Sequence, residues 1–195
     1  MAPELHGRRA LVTGASGGIG QAIARALHAR GATVVLTARR AEILERLSGE
    51  LGERIETVPA DLTDGEAVRS LGERSGHVDV LVANAGLPAS GPLLGFEPDQ
   101  IDRALDVNLR APMQLARALA PAMVERGDGH LVFMSSIAGK VANPGSSLYS
   151  GTKFGLRGFA FALREDLHGT GVGVTTIFPG FIREAGMFHD AGVKL

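Results

Sequence analysis

The fold of this 195-residue chain is decided by the stretch Ala10-Leu11-Val12-Thr13-Gly14-Ala15-Ser16-Gly17-Gly18-Ile19-Gly20. Residues 10–13 predict a short buried strand, and a helix with one apolar face is expected to begin at Gly18. The glycines Gly14, Gly18 and Gly20 allow a sharp strand-to-helix turn and let a pyrophosphate approach the N–H groups at the helix start. The stretch therefore predicts a dinucleotide cradle, although its spacing, G-x-x-x-G-x-G, differs from the standard G-x-G-x-x-G.

Short β-branched runs alternate with longer helical patterns along the rest of the chain, which predicts a parallel sheet wrapped by helices. Strands are expected at 10–13, 33–37, 55–59, 78–82, 130–134 and 173–178. Helices are expected at 18–30, 41–51, 64–74, 98–126 and 147–168. Pro59 favours an edge position for the third strand. The whole chain, 1–195, is expected to form a single doubly wound α/β domain.

The composition excludes several classes of function. The net charge is −1, so nothing indicates binding to nucleic acid or to an anionic membrane. The chain contains no cysteine, which excludes a disulfide, a thiolate nucleophile or a cysteine-ligated metal, and no metal site is predicted. No apolar run approaches the roughly 20 residues of a membrane helix. We therefore expect a cytoplasmic protein that acts on a small molecule.

A second decisive stretch, Tyr149-Ser150-Gly151-Thr152-Lys153, contains the only tyrosine of the chain. Residues four apart share a helix face, so Tyr149 and Lys153 point the same way. A free phenol titrates near 10, and the adjacent ammonium is expected to lower its pKa by roughly 1–3 units. Ser136 follows the fifth predicted strand, at the edge of the sheet where ligands bind in open α/β folds. Tyr149 is therefore predicted to act as a general acid or base.

Two alternatives remain open at this point. The residues Gly14-Ala15-Ser16-Gly17-Gly18 also match G-x-S-x-G, the nucleophile elbow of serine hydrolases, with Ser16 as the nucleophile. The histidine that such an enzyme needs would be His130, His168 or His189. The other alternative is a non-catalytic nucleotide-binding protein that uses the same fold as a sensor or scaffold.

In chain order, the motifs resemble those of the short-chain dehydrogenase/reductase family in its common short form. The resemblance rests on Thr13-Gly14-x-x-x-Gly18-Ile19-Gly20, Asp61-Leu62, Asn84-Ala85-Gly86, Asn108, Ser136, Tyr149-x-x-x-Lys153 and Pro179-Gly180. It implies a Rossmann-like sheet with the strand order 3-2-1-4-5-6-7. It also implies hydride transfer between a nicotinamide cofactor and a carbonyl or secondary alcohol.

The resemblance also implies roles for individual residues. Tyr149 would donate the proton in reduction, Lys153 would bind the nicotinamide ribose and lower the tyrosine pKa, and Ser136 would steady the carbonyl oxygen. Asn108 would hold a water that relays protons to Lys153, and Asp61 would meet the adenine. The implied cofactor-binding residues are Gly14, Ser16, Gly18, Ile19, Gly20, Arg39, Asp61, Leu62, Asn84, Ala85, Gly86, Tyr149, Lys153, Pro179, Gly180 and Ile182.

The end of the second predicted strand indicates which cofactor is used. Relatives that prefer NAD carry an acidic residue there, which accepts the ribose hydroxyls. Here the position is Ala38, followed by Arg39 and Arg40. No carboxylate repels a phosphate, and an arginine fork can grip one with two hydrogen bonds. NADP(H) is therefore the preferred cofactor, with NAD(H) as the alternative.

The C-terminal part departs from the family pattern. The threonine that relatives place a few residues after Pro179-Gly180 is missing, and Phe181-Ile182-Arg183-Glu184 stands there instead. Residues 181–195 are expected to be an incomplete substrate-loop region, and the seventh strand is not expected within the sequence given. The sixth strand would then be an unprotected edge. As in relatives, a homodimer or homotetramer is expected to form through the helices that carry Asn108 and Tyr149.

Overall fold

Six parallel strands form one sheet in the computed structural model, which describes residues 4–180 and 182. The strand order is β3-β2-β1-β4-β5-β6, and every neighbouring pair is parallel. The strands are β1 (Arg9–Thr13), β2 (Thr33–Thr37), β3 (Ile55–Thr57), β4 (Val80–Ala83), β5 (Gly129–Met134) and β6 (Val172–Ile177). The predicted order is confirmed, including the edge position of β3. The chain therefore has the doubly wound, Rossmann-like fold.

Helices cover both faces of the sheet. They are α1 (Gly18–Ala29), α2 (Ala41–Leu51), α3 (Gly65–Arg74), α4 (Pro98–Leu105), α5 (Ala111–Arg126) and α6 (Ser147–Asp166). On one face, Leu11 and Val35 of the sheet share a buried cluster with Leu71, Leu115 and Leu156 of α3, α5 and α6. On the other face the next residues along each strand pack against α1 and α2. Because helices cover both faces of the sheet, residues on both sides of each strand are buried, and the strands are nearly continuously apolar, as in other buried parallel sheets.

The helix expected over 98–126 has the predicted ends, but it is not a regular α-helix throughout, because a π-helical turn, Asp106–Arg110, separates α4 from α5. In this turn Ala111 donates its N–H to the carbonyl of Asp106, five residues earlier. Pro112 gives the physical reason. Proline has no N–H to offer the carbonyl four residues before it, which is that of Asn108, so the regular α-helical ladder is interrupted there.

The predicted substrate-loop region, 181–195, lies outside the described residues except for Ile182. Within the described part of the chain, β6 is the edge strand on the side of the sheet opposite β3. Among the helices of that part, none combines the length and the apolar character that a bilayer-spanning segment requires.

Candidate active site

The turn between β1 and α1 forms a cradle in which Gly14 and Gly20 have no room for side chains. Gly14 has a φ of +66°, and a Cβ atom there would lie 2.8 Å from the Cα of Ala85. A Cβ atom at Gly20 would lie 2.2 Å from the carbonyl oxygen of Gly14. The N-cap of α1, Gly17, offers no side-chain acceptor, and the first turn of the helix carries no acidic residue. The N–H groups at this helix start thus favour an anionic group, as at other phosphate-binding helix termini.

Thr13 joins this cradle to the end of β4. Its hydroxyl oxygen accepts the backbone N–H groups of Asn84 and Ala85, at 3.0 and 2.9 Å. The Asn84 side chain in turn donates to the carbonyl oxygen of Thr13, at 2.9 Å. Because Thr13 is buried, these bonds hold the two strand ends together without competition from water.

A cleft of about 380 Å³ opens above these strand ends. It collects the predicted cofactor residues of the first four strands, namely Gly14, Ser16, Gly18, Ile19, Gly20, Arg39, Asp61, Leu62, Asn84, Ala85 and Gly86. The sequence did not predict three further residues that line the cleft, namely Leu87, Pro88 and Val107. Two of them, Leu87 and Pro88, directly follow the Asn84-Ala85-Gly86 motif. Within the described part of the chain, five other predicted cofactor-binding residues do not line this cleft, namely Tyr149, Lys153, Pro179, Gly180 and Ile182.

The arginine pair lies at the rim of the cleft. Arg39 and Arg40 are both exposed, and neither forms an ion pair with a residue in the described part of the chain. The carboxylate of Asp61 also lines the cleft, where it accepts from the N–H and the hydroxyl of Thr63. Two positively charged side chains therefore stand where the second strand ends, with no carboxylate directly after it.

Ser136, Tyr149 and Lys153 gather at the same edge of the sheet. Tyr149 and Lys153 lie in the first turns of α6 and are only 5% and 3% exposed. The Lys153 Nζ atom lies 5.7 Å from the centre of the Tyr149 ring and donates to the carbonyl oxygen of Met134 at 2.9 Å. Ser136 begins the short 3₁₀ turn Ile137–Gly139, and its hydroxyl accepts from the N–H of Ala138 at 3.1 Å. The three residues that the sequence analysis singled out thus form a buried polar cluster.

The electrostatics of the pair differ from the prediction. Burial raises the pKa of the Tyr149 phenol, and the neighbouring Ser136 hydroxyl acts in the opposite direction. Burial also lowers the pKa of Lys153 to about 8. The expected lowering of the tyrosine pKa by the lysine is therefore wrong for this structure. The reason is that the low-polarity surroundings disfavour both charged forms, and the ammonium is directed to the Met134 carbonyl rather than to the phenol.

Asn108 lies in the π-helical turn and is fully buried. Its side-chain oxygen accepts from the N–H of Leu87 at 2.7 Å, and its amide nitrogen donates to the carbonyl of Leu87 at 3.1 Å and to the hydroxyl of Thr152 at 3.2 Å. Three of the four hydrogen bonds open to this side chain are thus made within the protein. Its predicted role in holding a water stays a prediction.

The geometry speaks against a serine hydrolase. Ser16 follows the carboxyl end of β1, whereas His130 lies near the start of β5 and His168 lies shortly before the start of β6. Because the strands are parallel, both histidines lie at the amino ends of the strands, whereas Ser16 lies at the carboxyl ends. The third candidate, His189, lies outside the described residues.

Comparisons with known proteins agree with this arrangement. A family model described as short chain dehydrogenase matches residues 8–193. The chain belongs to the short-chain dehydrogenase family. Nodulation protein G from Rhizobium sp. (strain N33) is 42% identical over 186 residues, which cover 93% of this chain and 76% of the relative. Family membership supports an oxidoreductase that uses a nicotinamide cofactor.

Two solved structures of short-chain dehydrogenases extend the comparison. A metagenomic short-chain oxidoreductase in complex with NADP is 41% identical, with a TM-score of 0.85 over 92% of this chain and 85% of the other. A short-chain dehydrogenase from Sphingobium yanoikuyae in complex with NADPH is 30% identical, with a TM-score of 0.90 over 96% of this chain and 75% of the other.

Lys153 leads to a prediction about pH and stability. Its pKa falls from 10.5 to about 8 on folding. Between these values the unfolded chain binds more protons than the folded protein, so the free energy of unfolding rises with pH, by about 3 kcal/mol in total. Urea unfolding of the cofactor-free protein at a series of pH values across this window measures the rise. Below this pH window, the destabilisation caused by burying the charged lysine does not change with pH, because the lysine is charged in both the folded and the unfolded state.

Lys153→Met is the control for this measurement, because it keeps an unbranched side chain and removes the ionisable group. Tyr149 is present in both proteins, so its own titration cancels in the difference between them. The rise should be present in the wild type and absent in the variant. Identical pH profiles would show that Lys153 is not the group that titrates.

Proposed function

We propose that this short-chain dehydrogenase is an NADP(H)-dependent oxidoreductase that interconverts a carbonyl and a secondary alcohol, with Tyr149 as the general acid and base. One observation carries the proposal. A glycine turn in which Gly14 and Gly20 have no room for a Cβ atom, at an uncapped helix start, lies at the same edge of the sheet as the buried Ser136–Tyr149–Lys153 cluster. A cytoplasmic location stays a prediction.

The residues of the cleft fit a dinucleotide. The start of α1 would take the pyrophosphate, Asp61 and Leu62 would meet the adenine side, and Asn84 with Gly86 would line the rest of the nucleotide cleft. When bound, the nicotinamide supplies a hydride in reduction or accepts one in oxidation. Lys153 would bind the nicotinamide ribose. The contacts of Pro179, Gly180 and Ile182 with the cofactor stay predictions.

The protein's own contribution is to hold the substrate oxygen and to move a proton. A phenol whose pKa is raised stays protonated at neutral pH, which suits a proton donor in reduction. As the carbonyl carbon gains the hydride, the oxygen takes the proton of Tyr149 and the phenol becomes a phenolate. The Ser136 hydroxyl favours that phenolate. In oxidation the same groups act in reverse.

The first prediction for this function concerns Tyr149→Phe. The variant keeps the ring and removes the transferable proton, so turnover of a panel of ketones should be abolished while the affinity for NADPH changes little. Lys153→Ala should weaken both turnover and binding, since both depend on this side chain. Steady-state kinetics and a fluorescence titration with NADPH measure the two effects.

Residual activity above a few percent in Tyr149→Phe would show that another group donates the proton. Tight NADPH binding by the wild type without turnover of any carbonyl or alcohol would instead favour the sensor or scaffold.

The preference for NADP(H) rests on the arginines after β2. Arg39 is exposed at the rim of the cleft, where a 2′-phosphate would meet its guanidinium. Arg39→Ala should therefore weaken NADP(H) binding by about 1.5–3 kcal/mol, roughly 10- to 100-fold, and NAD(H) binding much less. Titration of both cofactors against the variant tests this.

Arg30→Ala is the matched control for Arg39→Ala, because Arg30 is an exposed arginine at the far end of α1. It should leave both affinities unchanged. An equal loss of NADP(H) and NAD(H) affinity in Arg39→Ala would make Arg39 a surface residue, and a wild-type preference for NAD(H) would refute the assignment of the cofactor.

We also propose a homodimer or homotetramer that uses α5 and α6. On α6, Phe154 and Phe161 are both 40% exposed and lie seven residues apart, on the same face of the helix. Phe154→Glu should place a charge in the contact and shift the protein to the monomer, as measured by light scattering. A wild-type protein that is already a monomer at micromolar concentration would contradict the proposal.

A further inference from the structure

Thr152 is a buried hydroxyl that none of the roles above uses. It lies on α6 between Tyr149 and Lys153 and is fully buried. Its hydroxyl donates to the backbone carbonyl of Tyr149 at 2.8 Å and accepts from the side-chain amide of Asn108 at 3.2 Å. A threonine that bonds to a carbonyl three or four residues earlier is common in helices. The bond from Asn108, which is 44 residues away in sequence, is not local and calls for another explanation.

Asn108 is itself anchored to the wall of the cofactor cleft. Its carboxamide forms a pair of hydrogen bonds, at 2.7 and 3.1 Å, with the N–H and the carbonyl of Leu87. Leu87 lines the cleft directly after Asn84-Ala85-Gly86. A continuous series of hydrogen bonds therefore runs from Leu87 through Asn108 and Thr152 to the backbone of Tyr149.

The backbone of α6 also packs against a side chain of the π-helical turn. A Cβ atom at Gly155 of α6 would lie 3.2 Å from the side chain of Leu109, which adjoins Asn108 in the π-helical turn. The absence of a side chain at Gly155 thus lets α6 approach the turn closely. The π-helical turn and α6 are held in register by packing as well as by the Asn108–Thr152 bond.

We propose that Thr152 is a positioning residue, which sets the location of the Tyr149 hydroxyl relative to the cofactor cleft. The inference rests on the proposed function, because it concerns the same reaction. Hydride and proton must reach one carbonyl group from two different walls of the site. A displacement of about 1 Å between those walls is enough to lower the rate on the order of 100-fold. Thr152 is the α6 side chain through which Asn108 links the two walls.

The test compares Thr152→Val with Thr152→Ser. Valine keeps the branched shape and loses the hydroxyl, whereas serine keeps the hydroxyl. Thr152→Val should lower kcat for a ketone substrate at least tenfold and leave the NADPH dissociation constant within twofold. Thr152→Ser should retain kcat within about twofold.

A double-mutant cycle with Asn108→Ala tests whether Thr152 acts through its hydrogen bond with Asn108. If Thr152 acts through Asn108, Thr152→Val should have little further effect on kcat in the Asn108→Ala background. Fully independent effects that multiply would overturn the proposal. So would Thr152→Val with normal kcat and a reduced free energy of unfolding, because the hydroxyl would then only stabilise the fold. Equal damage in Thr152→Ser would show that the hydroxyl is not the cause.

A second readout does not depend on activity. Tyr149 is the only tyrosine and the chain has no tryptophan, so the near-ultraviolet absorbance of phenolate reports the titration of Tyr149 alone. Loosening of α6 should expose the phenol and move its raised pKa back toward its usual value in Thr152→Val, but not in Thr152→Ser. Circular dichroism at each pH confirms that the protein remains folded during the titration.

This readout separates the two possible failures. A wild type that turns over no carbonyl, combined with the expected shift of the phenol pKa in Thr152→Val, would refute the proposed function and leave the positioning role standing. An active wild type whose phenol pKa and kcat are both unchanged in Thr152→Val would refute the positioning role alone.

Discussion

The two hydrogen bonds that the Thr13 hydroxyl accepts from Asn84 and Ala85 hold the rest of the site together. They join the ends of β1 and β4, the two strands at which the order of the sheet reverses direction. A cleft opens at such a reversal because the following helices pack on opposite faces. The close backbone approach at Gly14 completes the junction and leaves the helix start free to receive an anion.

Burial determines how the chemistry of the Ser136–Tyr149–Lys153 cluster works. The same desolvation that raises the pKa of Tyr149 lowers that of Lys153, so both groups are biased toward their neutral forms. A neutral phenol is ready to donate a proton in reduction, whereas a depressed phenol pKa would favour the reverse direction. The bound cofactor and substrate would alter this balance by adding charge and excluding water.

Much of the site could be predicted from sequence because its motifs are local. The glycine loop follows directly from β1, Tyr149 and Lys153 are one helical turn apart, and Ser136 lies two residues after the end of β5. Each of these motifs can therefore be recognised within a short window of sequence. The π-helical turn inside the helix over 98–126 was not predicted, although Pro112, which removes the N–H that the carbonyl of Asn108 would use, is visible in the sequence. The apolar pattern of the helix conceals that interruption.

The sequence by itself determined the order of the strands through its family motifs, the glycine cradle and the face shared by Tyr149 and Lys153. These depend on backbone geometry and on spacings of a few residues. The tertiary structure alone decided the directions of the pKa shifts and the bonds that Asn108 makes to Leu87 and Thr152, which are 21 and 44 residues away. The physical reason is that desolvation and buried hydrogen bonds depend on which distant segments pack around a group, and no short window of sequence records that.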